Sequence, residues 1–281
     1  MNRELIVARL IFFAHVVVVL GLSLLVLAWV YVLLHDVFQL VPRLPIIIPA
    51  YWPQMAFSQM FGEAFFIEQL QFKILMGATS VGLIIVVYAL TEEDRSFAVT
   101  ATLLTIGLAL MYFNDAHNAR HQVAWFLSEL VYGKDFSPRN IVRQATELII
   151  YIFLGAVMVL AFFRLWSCRS CIPRFQFLLI AYAAYFVASV ASVTRFYFGW
   201  YDKVGRHLAA WFPDHFIDEL RKLEAAISGY PYYFWIMDWA VEESIELIGA
   251  TFFLAAMLMM LAWRVRVAGE TEQNKQSIGS G

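Results

Sequence analysis

Four carboxylates open the last apolar stretch of the chain, in the run FWIMDWAVEESIELIGATFFLAAMLMML at residues 234–261. On a helix, Asp238, Glu242 and Glu246 form one stripe because they are four residues apart, and Glu246 lies about 12 Å deeper than Asp238. Glu243 and Glu246, three residues apart, could bridge one ligand. Ionisable side chains at such depth in an apolar segment are costly, so Glu243 and Glu246 indicate a functional site with a cation, a basic partner or raised pKa values. Asp238 could instead be a helix-start residue, and Glu242 could lie among the lipid head groups.

A histidine pair is the second group of residues suited to chemistry. His117 and His121, in YFNDAHNARHQ, are four residues apart, so an unbroken helix would place both imidazoles on one face. Such a pair can chelate a metal, and Glu243 and Glu246 from another helix could complete the shell. A shell of histidine and carboxylate suits zinc, iron, manganese or copper. We therefore predict a transition-metal site with these four ligands.

Further charged residues are predicted to support that site. We assign Asp115 and Glu242 as catalytic proton carriers beside the predicted ligands. Two alternatives to a metal stay open: the histidines could hydrogen-bond to neighbours and water, and arginines could neutralise the clustered carboxylates. Arg143, Glu147 and Arg195 are predicted to form structural ion pairs, because Glu147 follows Arg143 by four residues on a helix.

The composition places these residues in a membrane protein. The chain has 281 residues, of which 62% are hydrophobic and only 15% are charged, whereas soluble domains carry about 25% charged residues. The formal net charge of −2 argues against nucleic acid as a partner. Cys168 and Cys171 form a lone CRSC without the second pair that a zinc site needs, so both are predicted to be free thiols.

Six apolar runs are long enough to span a bilayer, which takes about 20 residues. We predict an all-α polytopic bundle with a single domain over residues 1–268 and a disordered polar tail at 269–281. Arginines in the short connections place both termini in the cytoplasm. The long connections are then extracytoplasmic: 42–53 is predicted to lie in the interface, and 206–227 to form an amphipathic surface helix interrupted near Pro213. The runs lie at roughly 5–34, 72–91, 97–114, 145–166, 175–198 and 234–263.

Polar residues collect on one side of this predicted bundle. The cytoplasmic halves of the spans are nearly featureless, so the asymmetry predicts a functional site at the extracytoplasmic membrane edge. The polar residues on that side include His35, Asp36, Glu63, Glu68, Gln71, Asn114, Asp115, His117, Asn118, Arg120, His121, Arg143, Glu147, Arg195 and the four carboxylates of the last span.

The two motifs resemble those of a group of uncharacterised bacterial multi-pass membrane proteins. Members carry an acidic and histidine motif after one span and an EExxExxG motif that opens the last span. The likeness covers residues 100–265 and is carried by Glu242, Glu243, Glu246 and Gly249. It implies a bacterial inner-membrane protein in which both motifs matter, and it implies no particular activity.

A second resemblance is to the C subunit of the particulate methane and ammonia monooxygenases. YFNDAHNARHQV, KDFSPRNIV and FWIMDWAVEE are similar to that subunit's aspartate-and-histidine copper motif, its DF[ST]P-x-H segment and its tryptophan-and-glutamate stretch. His121 with Gln122 and the segment 135–138 match best, and Asn140 stands where the family has a ligand histidine. The resemblance implies a metal-carrying architecture of six helices.

Three functions fit these residues. The preferred one is a membrane enzyme or enzyme subunit whose metal site acts on a lipid or a small apolar substrate. The alternatives are a non-catalytic subunit of a larger membrane complex and a transporter coupled to protons or cations. The predicted partners are the lipid bilayer and either other membrane proteins or further copies of the chain.

Overall fold

The computed structural model describes residues 3–42, 55–62, 65–133, 141–170, 172–226 and 230–279. This part of the chain is almost entirely helical and contains no strand, which confirms the predicted all-α architecture. Most of segment 42–53 and all of 135–140 lie outside the described residues. The helices are α1 (Arg3–Val32), α2 (Ala56–Phe61), α3 (Phe66–Thr91), α4 (Arg95–Ala116), α5 (Ala119–Tyr132), α6 (Ile141–Ser167), α7 (Phe175–Phe198), α8 (Trp200–Ala209), α9 (Asp214–Ala226), α10 (Tyr232–Trp235) and α11 (Glu243–Gly279).

Six helical segments of the described chain are long and apolar enough to cross a membrane, in agreement with the six predicted spans. The chain is therefore a multi-pass helical membrane protein. Side-chain contacts join α3 to the C-terminal end of α4 and to the start of α11, α5 to the start of α6, and the C-terminal end of α7 to the segment that precedes α11. We call this the polar end of the bundle. The candidate spans are Arg3–Val37, Ala56–Thr91, Arg95–Ala116, Ile141–Ser167, Phe175–Arg195 and Tyr232–Gly269.

Helix α11 lies at the centre of the bundle. In its most apolar stretch 72% of the residues are buried, against 17% for the corresponding stretches of α1 and α6. It packs against α1, α3 and α7. A Cβ atom at Gly249 would lie 2.5 Å from Cδ2 of Tyr185, so the glycine lets α11 and α7 approach more closely than any larger residue would permit.

A buried arginine fixes α11 at the opposite end of the bundle. Arg264, only 4% exposed, donates a hydrogen bond from Nη1 to Asp94 Oδ2 at 2.8 Å and another from Nη2 to Glu92. Its guanidinium also lies 4.7 Å from the centre of the Phe97 ring. These contacts hold α11 against the connection between α3 and α4, so this end of the bundle has a polar cluster that hydropathy alone does not indicate.

Two segments of the described chain are π-helical. Leu33–Val37 continues α1, and Ile236–Glu242 joins α10 to α11. A π-helical turn contains more residues than an α-helical turn, so side chains on its two sides do not keep a 3.6-residue register. In the first segment, Asp36 accepts the backbone N–H groups of Ala56 and Phe57 at 2.9 and 2.6 Å and thereby attaches α2 to the end of α1.

Of the remaining segments, one agrees with the prediction from the sequence and one differs from it. Helices α8 and α9 occupy the predicted amphipathic region and are separated around Pro213, as the sequence indicates. The backbone of α11 continues to Gly279, so residues 269–279 are helical where the composition predicts a disordered tail.

Candidate functional site

The connection between α4 and α5 changes the predicted histidine pair. Helix α4 ends at Ala116, and Asn118 adopts a left-handed conformation with φ of 49° before α5 begins. His117 therefore lies on a turn, is exposed and contacts the Phe113 ring with centroids 5.0 Å apart. His121 lies on α5 and lines a cavity at the polar end, which His117 does not line. The prediction that both imidazoles share one helix face is wrong.

The cavity at the polar end has a volume of about 510 Å³. It lies among α3, α4, α5, α6, α7, α10, the π-helical segment Ile236–Glu242 and the start of α11. We call it the acidic cavity because carboxylates outnumber arginines among its described lining residues. The charged lining residues are Glu68, Asp115, Asp238, Glu242, Glu243, Glu246, Arg120, Arg143 and Arg195.

Each arginine of the acidic cavity already contacts a carboxylate. Arg195 Nη1 lies 2.6 Å from Asp238 Oδ1. Arg143 Nε lies 3.3 Å from Glu147 Oε1, four residues later on α6. The third arginine, Arg120, keeps its Nη1 atom 4.0 Å from the nearest carboxylate oxygen, which belongs to Asp115. Arg195, predicted to form a structural ion pair, thus makes its short contact with Asp238.

The three glutamates at the start of α11 have no arginine or lysine within ion-pair distance in the described part of the chain. Glu242 accepts a hydrogen bond from the Tyr201 hydroxyl. Burial and nearby carboxylates raise the pKa of Tyr201 well above its usual value, so this hydroxyl stays a donor. The Oε2 atom of Glu243 is buried and makes no hydrogen bond with any described residue. The glutamates thus form a cluster of carboxyl groups that no arginine or lysine of the described chain pairs with.

A buried amide on one helix joins the carboxylates of two others. Gln71 on α3 is fully buried, and its Nε2 atom donates to Glu246 Oε2 at 2.8 Å and to Asp115 Oδ2 at 3.3 Å. Asn114 donates to the other oxygen of Asp115 at 2.9 Å. Asp115 and Glu246 are therefore held at fixed positions by neutral donors.

A histidine and a glutamate form a second polar contact at the cavity. His121 Nδ1 lies 2.8 Å from Glu147 Oε1. Burial lowers the pKa of His121 to about 4, although the contact with Glu147 acts in the opposite direction. The imidazole is therefore neutral near pH 7, with its proton on Nδ1 and a lone pair on Nε2. A neutral imidazole oriented by a carboxylate is suited to act as a general base.

A smaller apolar pocket adjoins the acidic cavity. Its volume is about 120 Å³, and it lies between α4, α6, α7 and α11. Helices α6 and α7 contact each other over a short stretch only, so the pocket opens towards the side of the bundle. Asp115, Arg120 and Glu246 line both the pocket and the acidic cavity. The apolar part of the wall includes Met111, Leu154, Gly155, Met158, Tyr182, Phe186 and Phe253.

Most predicted site residues meet at this place. Asp115, His121, Glu242, Glu243 and Glu246 line the acidic cavity, and so do Arg143 and Arg195. Among the residues that the structure describes, no group of three or more His, Cys, Asp or Glu side chains is arranged to hold a metal ion.

Sequence reasoning gave no role to two residues of the site. Gln71 and Arg120 were counted among the polar groups of this side, but their partners lie on other helices. Both stand within or beside apolar spans, and this is the only signal that the sequence offers for them.

Comparisons of the chain with protein-family models, with curated proteins and with solved structures found no significant match. The site is therefore interpreted from its own geometry, and the two resemblances stay predictions.

Proposed function

We propose that this chain is an enzyme, or the substrate-binding subunit of one, that acts on a lipid-like amphiphile at the extracytoplasmic edge of a bacterial inner membrane. One observation carries the proposal: a large acidic cavity and an apolar pocket share a wall formed by Asp115, Arg120 and Glu246. Such a pair of spaces suits a molecule with a polar head and a hydrocarbon chain, because ligand sites combine apolar walls with a few converging polar groups.

The chemistry available to the polar head is proton transfer. His121 is neutral near pH 7 and is oriented by Glu147, so its Nε2 atom can accept a proton from water or from a substrate hydroxyl. Asp115 lies at the junction of the two spaces. As the activated oxygen forms its bond to the head group and the bond to the leaving group breaks, protonated Asp115 can donate its proton to the leaving group. The proton held by His121 then restores the acid form of Asp115 through water. These roles suit hydrolysis or group transfer at the head of the amphiphile.

Photo-crosslinking tests the binding part of the proposal. The purified protein is placed in bilayers that contain a phospholipid with a diazirine near the end of its acyl chain, and the labelled residues are mapped by mass spectrometry. We expect label on Met158, which lines the pocket and is only 7% exposed. In Gly155→Leu this label should be lost, because a Cβ at Gly155 meets nothing within 4 Å and the new side chain would occupy the open pocket.

Leu160→Phe is the matched control for Gly155→Leu. It adds bulk on the same helix at a position that is 57% exposed and does not line the pocket. It should keep the wild-type labelling pattern. Equal labelling of Met158 in Gly155→Leu and wild type would contradict the proposal.

Product analysis tests the catalytic part. The protein is incubated with a bacterial polar lipid extract, and new lipid species are followed by mass spectrometry. We expect a product that accumulates with time and is not formed by His121→Gln. Identical product formation by wild type and His121→Gln would show that this histidine is not the base.

A further inference from the structure

The acidic cavity contains more carboxyl groups than the described arginines pair with, and these carboxyl groups indicate the chemistry of a ligand. The three arginines make their ion pairs with Asp115, Glu147 and Asp238. Glu242, Glu243 and Glu246 are left without such a pair in the described part of the chain. Carboxyl groups at this depth are charged only beside a cation, because burial penalises their charged form, so a cationic ligand would find its counter-charge here.

Two buried oxygen atoms at the cavity show which kind of cation fits. Gln71 is fully buried, lines the cavity and has an Oε1 atom that makes no hydrogen bond with a described residue. The Oε2 atom of Glu243 is also buried and also makes no hydrogen bond with a described residue. The amide oxygen of Gln71 can only accept hydrogen bonds, and the carboxylate of Glu243 likewise only accepts in its charged form. The fitting cation is therefore one that carries N–H donors.

The spread of the carboxylates favours an organic cation over a metal ion. A metal needs several ligand atoms at about 2.0–2.6 Å around one point. No three of the described His, Cys, Asp and Glu side chains are arranged in that way. A primary ammonium has three donors that point in different directions, so it can reach acceptors on α3 and α11 together.

Arg120 stands where the head of an amphiphile would join its chain. It lines both the acidic cavity and the apolar pocket. Its Nε atom is buried and makes no hydrogen bond with a described residue, and its nearest carboxylate is 4.0 Å away. A guanidinium with an unused donor is suited to bind phosphate.

The glutamates, Arg120 and the apolar pocket correspond to successive parts of one ligand. We propose that the substrate is a phospholipid whose head group carries a primary amine, with the amine among Glu242, Glu243 and Glu246 and the phosphate at Arg120. The hydrocarbon chain leaves through the pocket between α6 and α7. This inference rests on the proposed function, since it assumes that an amphiphile occupies both spaces.

Native mass spectrometry of the protein released from mixed-lipid nanodiscs tests the head group. The nanodiscs contain equal amounts of phosphatidylethanolamine, phosphatidylcholine and phosphatidylglycerol with the same acyl chains. We expect phosphatidylethanolamine to be retained about tenfold over the other two, because a hydrogen bond to a charged group contributes this much to binding. N-acetylated phosphatidylethanolamine should lose the preference, and this result does not depend on any variant.

Glu243→Gln should reduce the preference to below about twofold while some lipid is still retained, since the apolar pocket is unchanged. Glu129→Gln is the matched control, because Glu129 is exposed on α5 and does not line the cavity. It should keep the wild-type preference.

The outcomes separate this inference from the proposed function. Equal retention of the three lipids would overturn the amine head group, and so would retention of phosphatidylcholine as strong as that of phosphatidylethanolamine. Loss of all bound lipid in Gly155→Leu would support the proposed function in either case. A lipid-free wild-type protein would overturn both.

Discussion

The imidazole of His121 on α5 lies 2.8 Å from the carboxylate of Glu147 on α6, and this contact joins two helices at the edge of the acidic cavity. His121 is neutral near pH 7 despite this contact, because burial lowers the pKa of its imidazole to about 4 from an ordinary value of 6.5.

The stability of the protein should therefore fall as the pH is lowered from 6.5 to 4. In this window the unfolded chain binds a proton at His121 that the folded chain does not, so the stabilisation that is complete above pH 6.5 is lost towards pH 4. We expect the thermal unfolding temperature in detergent to fall in this range, and to fall less steeply in His121→Gln. His207→Gln, at an exposed position on α8, serves as the control and should follow wild type. An identical pH profile for His121→Gln would contradict the prediction.

Removing the amide of Gln71 should destabilise the protein strongly. Gln71→Leu leaves Asp115 and Glu246 without their shared donor, and we expect a loss of about 2 kcal/mol in the free energy of unfolding. The double variant Gln71→Leu/Glu246→Leu should recover part of that loss, because replacing both partners by apolar residues removes the unpaired group. Denaturant titration of both variants measures the difference. A double variant that is less stable than Gln71→Leu would argue against a direct interaction.

Two glycines within spans should respond in opposite ways to alanine. A Cβ at Gly249 would lie 2.5 Å from the Tyr185 ring, whereas a Cβ at Gly155 meets nothing within 4 Å. Gly249→Ala should lower the unfolding temperature, since the tyrosine or the backbone must move. Gly155→Ala should leave it unchanged or raise it, because alanine favours a helix over glycine by about 1 kcal/mol. Equal effects at both positions would show that the contact with Tyr185 does not limit helix packing.

Elemental analysis distinguishes an amine from a metal in the acidic cavity. The sequence predicts zinc, iron, manganese or copper, but His117 lies outside the cavity and the remaining predicted ligands are His121, Glu243 and Glu246. We expect less than one metal ion per chain in protein purified without chelator. Stoichiometric metal that is lost in His121→Ala and kept in His117→Ala would support the metal and overturn the amine.

The spans were predictable because hydropathy depends on local composition, and six long apolar runs leave few alternatives. The turn at Asn118 was not predictable, because a left-handed asparagine interrupts the helix there without the usual proline or glycine. The hydrogen bonds of Gln71 could not be predicted either, because its partners lie 44 and 175 residues away in sequence. Sequence reasoning thus located the acidic side of the site and misjudged the histidine side.

The length of the π-helical segment Ile236–Glu242 determines the direction in which the charged side chains before α11 point. A deletion of one residue within it would restore an ordinary α-helix and turn everything before it by about 100° relative to α11. Asp238 would then no longer face Arg195, although every side chain involved would still be present. Composition and hydropathy do not reveal the number of residues in this segment. An engineered change in that number would reorient Asp238 and the residues before it, while Glu243 and Glu246 on α11 kept their positions.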